Sequence, residues 1–186
     1  TYEIEKYYSK INNKRCPMDI EWAFDGITNE LYIVQARPET IHSKKNNYEL
    51  LEYIIDSHQN KQVLVNGIAI GKTITTGKVK ILRNIYLTEN DIQFNKGDIL
   101  VTEITDPDWE PIMKKASAII TNKGGKTSHA AIVCRELGIP AIVGTGNCTQ
   151  ILNNYQEITV NCAEGEIGYV YNGILNFSIN KIILNN

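Results

Sequence analysis

Two short, mostly apolar runs, ASAIIT at 116–121 and IPAIVG at 139–144, flank the amphipathic stretch HAAIVCREL, which Gly138 follows. Apolar runs of that length read as buried strands, and the segment between them as a helix over His129 to Leu137 closed by glycine. This strand–loop–helix–strand order constrains the fold more than any other feature of the chain. Upstream, VLVNGIAIG, GKVKILR and DILVTEI are short β-rich runs punctuated by glycine. Asp106 is placed to cap a helix that starts at Pro107 and runs through Lys115. Downstream, a short helix near Thr149 to Leu152 precedes EITVNCAEGEIGYVY, which reads as two strands around Glu164-Gly165. The expected class is mixed α/β with strands outnumbering helices.

The first third of the chain follows a different pattern. DIEWAFDGITNELYIVQARPET, residues 19–40, alternates on both sides of Asp25-Gly26 and predicts a hairpin ending at Arg37-Pro38. NNYELLEYIIDSH then carries a helical spacing through Leu50, Leu51, Ile54 and Ile55, predicting a linker helix. The tail NFSINKIILNN shows no partner and reads as linker. The expected organisation is therefore 1–41, 42–62 as linker helix, 63–173 as the main domain, and 174–186 as a second linker.

Bulk properties remove several function classes. With 19 basic and 21 acidic residues in 186, and no Lys/Arg cluster, a nucleic-acid partner is disfavoured. Cys16, Cys134, Cys148 and Cys162 form no C-x-x-C pair, so neither a zinc ribbon nor a redox pair is expected, and reduced thiols point to the cytoplasm. No apolar run is long enough for a membrane span, and the first residues lack the apolar core of a signal peptide. Asn147-Cys148-Thr149 and Asn176-Phe177-Ser178 match the glycosylation pattern by chance in an Asn-rich chain.

The chemistry concentrates in TNKGGKTSH, residues 121–129. A loop running from a buried strand to a helix start presents unpaired backbone N–H groups and the positive end of the helix dipole, a ready anion site. Gly124 and Gly125 allow close backbone approach, Lys123 and Lys126 add charge, and Thr127 and Ser128 can cap the helix or donate to phosphate oxygens. His129 falls in the first turn, where the field favours a neutral imidazole with a nucleophilic nitrogen. A plain capping or surface histidine is the competing reading. A Walker loop is ruled out, because Ile120 stands where its first glycine belongs. Metal ligation by His129 lacks partners: His42 and His58 fall in the linker, and Glu136 lies about 10 Å along the helix. Arg135, six positions on, is expected on another face as a surface or interdomain contact.

Residues 105–147, TDPDWEPIMKKASAIITNKGGKTSHAAIVCRELGIPAIVGTGN, closely resemble the swivelling phosphohistidine domain of the phosphoenolpyruvate-utilising enzymes, and AEGEIGYVY at 163–171 resembles its end. Residues 19–40 resemble the last hairpin of the family's ATP-grasp domain. The resemblance implies a β/β/α swivelling domain preceded by an ATP-grasp remnant. It implies that His129 is a phosphoryl carrier, with Gly124, Gly125, Lys126, Thr127 and Ser128 around the phosphate. Glu21 and Gln35 match metal-coordinating positions, and Arg37 a nucleotide-phosphate contact. Thr127 matches a threonine modified by a regulatory kinase/phosphorylase.

The branch most resembled converts ATP, pyruvate and water to AMP, phosphoenolpyruvate and phosphate, with Mg2+. A phosphate-dependent dikinase, a rifampicin phosphotransferase and a non-catalytic anion-binding module are the alternatives. The implied partners are an ATP-grasp domain and a phosphoenolpyruvate/pyruvate barrel of the same chain, so these 186 residues are expected to be a piece of a larger enzyme. Ser128 stands where some relatives carry cysteine.

Overall fold

A computed structural model describes residues 2–38, 49–83 and 93–183. The chain divides into two compact units, Thr1–Asn46 and Asn47–Asn186.

In the first unit, helix α1 (Tyr2–Ile11) carries Glu3 and Glu5 in its first turn and Lys10 in its last, complementing the helix dipole at both ends. Strands β1 (Met18–Asp25) and β2 (Glu30–Pro38) pair antiparallel, with a bulge at Glu21/Trp22. The connection is longer than the tight Asp25-Gly26 turn expected. Asp25 Oδ1 accepts from Ile27 N at 2.7 Å and Thr28 N at 3.3 Å, and Asn29 takes the left-handed conformation at φ 57°. None of the three clusters of buried apolar side chains draws on this unit's described residues. Trp22, Phe24 and Leu31 are 63%, 58% and 61% exposed.

The second unit is built on a closed seven-stranded barrel: β4 (Val63–Ile70), β5 (Ile74–Ile81), β6 (Ile99–Thr102), β7 (Ala118–Thr121), β8 (Ala141–Val143), β9 (Glu157–Asn161) and β10 (Ile167–Asn172). The order around it is β10-β4-β8-β7-β6-β5-β9, with β9 pairing back to β10. The pairs β5/β6, β6/β7 and β7/β8 are parallel and the others antiparallel. Helices α2 (Glu110–Met113), α3 (His129–Leu137) and α4 (Cys148–Ile151) lie in the crossovers. The helix expected from Pro107 to Lys115 is a 3-10 turn, Pro107–Trp109, running into α2, with Asp106 capping it through its bond from Asp108 N.

The alternating sides of the central strands feed two cores. Val65, Val79, Ile99, Val101, Ile120, Ile142, Val160 and Val170 come from all seven barrel strands and fill its interior. Leu100, Ile119, Ala141 and Val143 pack outward against Trp109, Met113, Ala130, Ala131 and Cys134 of the helical layer. Burial on both faces explains the absence of polar alternation in AIIT and AIV.

Residues 49–55 correct the expected linker helix. Strand β3 (Glu49–Ile55) pairs antiparallel with β11 (Phe177–Ile183), so the tail expected to lie unpartnered is its partner strand. Ile55 faces Phe177, Tyr53 faces Ile179 and Leu51 faces Lys181. The aromatic and β-branched residues of YII fit a pleated ribbon, and a partner far along the chain outweighed the local helical spacing. Ile55, Tyr53 and Phe177 anchor this ribbon on Ile74, Tyr171 and Leu175. Gln59 and Asn176 exchange two 2.8 Å bonds across its base. Of the rest of the predicted linker helix, 42–48 with His42 lies outside the described residues, and 56–62 with His58 is turn and coil, not helix.

Candidate functional site

The loop 122–128 leaves β7 and is fastened from both sides before it reaches α3. Lys123 N donates to the Glu103 carbonyl at 2.9 Å, and Gly146 N to the Asn122 carbonyl at 2.9 Å. The buried Asn122 carboxamide joins three segments. Its Nδ2 donates to the Glu103 carboxylate and, at 2.7 Å, to Thr149 Oγ1; its Oδ1 accepts from Thr149 N at 3.1 Å and Cys148 Sγ at 2.9 Å. Gly124 adopts φ 121°, a region side chains avoid, and its carbonyl lies so close to Gly144 that a Cβ there would meet it at 2.7 Å. Gly125 is open: a Cβ would meet nothing within 4 Å.

A turn then delivers the chain into α3. Ser128 N and Oγ both donate to the Gly125 carbonyl, at 3.0 and 2.8 Å. Ser128 is extended at ψ 158° and is the N-cap, its Oγ accepting from Ala131 N at 3.5 Å. Of the two candidate caps, Thr127 is therefore not used; it is exposed. The first intrahelical bond runs from Ile132 N to the Ser128 carbonyl, so the N–H groups of His129 and Ala130 stand ahead of it. Gly138, at φ 68°, closes the helix.

His129 is the first helical residue and half-buried. Its Nδ1 stands 3.0 Å from Thr105 Oγ1, on the loop between β6 and the Asp106 cap. Among the described residues no protein group bonds Nε2, so one ring nitrogen is held and the other is open. Thr105 was not singled out from sequence, although its place beside a helix cap, one strand over, is the available signal.

The two lysines expected to charge the loop are both paired. Lys123 Nζ lies 3.1 Å from Glu103 Oε1, and Lys126 Nζ 2.6 Å from Glu166 Oε1 at the β9–β10 turn. Each partner carboxyl is held below its ordinary value, first by the bond from its lysine. Arg135 is not merely a surface contact: its Nη1 donates to the Lys126 carbonyl at 2.6 Å, tying the loop to the side of α3. Burial pushes the Cys148 thiol up to about 11, in keeping with its role as a donor to Asn122.

In the first unit the three predicted residues share a face of the hairpin. Glu21 sits directly opposite Gln35, and Arg37 opposite Asp19, with Arg37 Nε 3.9 Å from Asp19 Oδ2. Among the described residues no three His, Cys, Asp or Glu side chains gather as metal ligands. Two adjacent oxygen donors at 21 and 35 suit a hard cation as a partial set. No helix among the described residues is long and apolar enough to cross a membrane.

Residues 94–165 match the family described as PEP-utilising enzyme, mobile domain, and residues 1–56 match the pyruvate phosphate dikinase AMP/ATP-binding domain. The chain is 58% identical over 186 residues to the phosphoenolpyruvate synthase of Aquifex aeolicus, covering 98% of this chain and 21% of that protein. It is 52% identical to that of Helicobacter pylori, over 99% of this chain and 23% of the relative. It is 51% identical to that of Escherichia coli, over 95% and 21%. The chain thus spans about a fifth of the length of the relatives it matches.

Proposed function

We propose that this chain, which carries the mobile domain of PEP-utilising enzymes at residues 94–165, is the phosphohistidine carrier segment of a phosphoenolpyruvate synthase. The observation that carries the reading is the imidazole of His129, held at Nδ1 by Thr105 and open at Nε2, at the start of a helix behind a glycine turn. With the Nδ1 proton donated to Thr105 Oγ1, the lone pair stands on Nε2. Nε2 takes the pyrophosphoryl group of ATP as AMP leaves. Water removes the outer phosphoryl group as phosphate, and the remaining one passes from Nε2 to the enolate oxygen of pyruvate. This chain supplies positioning and charge: the N–H groups ahead of the first helical bond, Gly124, open Gly125, Lys126, Thr127 and Ser128 surround the transferred group.

Glu21 and Gln35 would hold Mg2+ and Arg37 a nucleotide phosphate in the ATP-binding part. When bound, Mg2+ neutralises charge on the ATP phosphates. The uncovered apolar side of the hairpin fits further chain of that nucleotide-binding domain, and the mobile domain shuttles between it and a phosphoenolpyruvate/pyruvate barrel. Thr127, exposed two residues before the carrier, is the site for a regulatory kinase/phosphorylase. Four free thiols suit a cytoplasmic setting.

The test is labelling of the full-length protein with [β-32P]ATP. Acid-labile label on His129, absent from His129→Ala, is the expected result. Label elsewhere, or none, returns His129 to a capping residue in an anion-binding module.

A further inference from the structure

Lys126 and Lys123 flank the glycine pair, yet they are held differently. The carboxylate that pairs with Lys123 also accepts from Asn122 and is part of the braces under the loop, joined through Asn122 to Cys148 and Thr149. Lys126 belongs to the Gly125–Ser128 turn directly before His129. Its main chain is pinned by Arg135 at 2.6 Å, and among the described residues its ammonium meets Glu166 alone, at 2.6 Å. Glu166 is itself fixed, since its carbonyl accepts from Ala69 N of β4 at 2.9 Å. Both ends of the pair are therefore set by main-chain bonds, while the side chains stay 52% and 82% exposed.

We propose, on the strength of the carrier reading, that Glu166 is a positioning residue that keeps Lys126 in reserve for the phosphoryl group on His129, yielding the ammonium when that group arrives. An exposed carboxylate–ammonium pair is worth little and is easily exchanged. A phosphoryl group brings more charge and three acceptor oxygens, so it is the stronger partner once present. Glu166 thereby sets how readily the loop accepts and gives up phosphate, without contacting the reacting atoms.

The test uses the full-length protein equilibrated with fixed phosphoenolpyruvate/pyruvate ratios, without ATP. In that half-reaction the Nε2–P bond forms as the P–O bond to the enol breaks, and the departing enolate takes a proton to become pyruvate. The ratio of phosphorylated to free His129, counted as acid-labile phosphate, is the readout. Glu166→Gln is expected to raise this ratio about two- to fivefold, the span of one exposed charge pair, and Lys126→Met to lower it. Combining the two should give the ratio of Lys126→Met alone, because Glu166 acts only through the lysine. Glu166→Asp, which keeps the charge, should stay near the parent. An unchanged ratio in Glu166→Gln, or the same rise in the Lys126→Met background, overturns the inference while leaving the carrier intact. No phosphate on His129 in the parent protein overturns the carrier reading itself, and the inference with it.

Discussion

The barrel and the N-terminal hairpin are both made of β-strands rich in Ile, Val and aromatic residues, yet they put those residues to opposite uses. In the barrel, Ile99, Leu100, Val101, Ile119, Ile120 and Ile142 are wholly buried, on both sides of their strands. In the hairpin, Trp22, Phe24, Leu31 and Val34 stand in solvent. A two-stranded ribbon cannot bury its own faces, whereas closure of seven strands under a helical layer buries both. Apolar content therefore does not predict a core; the number of strands able to close around it does.

The largest expected contrast is thiol reactivity. Burial pushes Cys134 and Cys162 up to about 12, against an ordinary value of 9.0. A rise of that size cuts the thiolate fraction at about pH 8 roughly a thousandfold. Cys16 is itself buried, but in the unit that contributes to no core cluster, so local opening should make it the first thiol modified by iodoacetamide, with the barrel thiols following only with unfolding. Rapid labelling of Cys134 or Cys162 under native conditions, read by peptide mass, would erase the distinction between the two regions.

Stability should divide the same way. Ile120→Ala is expected to cost about 2–5 kcal/mol in urea denaturation, since it leaves a cavity inside the barrel. Phe24→Ala in this chain should cost less than about 1 kcal/mol, because its ring is already largely in water. Equal losses at the two positions would mean that the hairpin has a core after all.

The barrel was legible from sequence where burial is two-sided. AIIT and AIV read as strands, and Ser128, His129 and Gly138 marked the start and end of α3. The glycine turn and His129 at the helix start stood out for the same reason: local chemistry decides them. What could not be read depends on partners distant in sequence. The β3 segment looked helical because nothing local reveals Phe177 or Ile179 across from it. Thr105, Glu103, Glu166 and Thr149 took their places around the loop through barrel closure, 19 to 40 positions away from the residues they hold. Lys126 and Lys123 read as free charges, and only the fold shows that each is already engaged.

The smallest expected effect separates local from long-range control in a single titration. Half-buried Asp25 in the hairpin and exposed Glu166 in the barrel are both carboxyls held below their ordinary values, 3.8 and 4.5. For Asp25 the leading causes are N–H bonds from Ile27 and Thr28 of its own turn; for Glu166 they are the bond and charge of Lys126, 40 positions earlier. A lowered carboxyl value adds stability above the unfolded value and loses it as pH falls through the folded one, so both groups favour the native state near neutrality and weaken it in acid. Salt screens an ion pair much more than a backbone hydrogen bond. Raising NaCl should therefore move the Glu166 midpoint back toward 4.5 in a carboxyl NMR titration, as should Lys126→Met, while Asp25 holds its place. Urea sufficient to open the barrel should return Glu166 fully to its ordinary value and leave Asp25 partly lowered, because so short a turn re-forms without the rest of the chain. If Asp25 proved the more salt-sensitive of the two, the hairpin would be governed by charges beyond its own turn, and the division between a locally held and a globally held region would fail at its finest test.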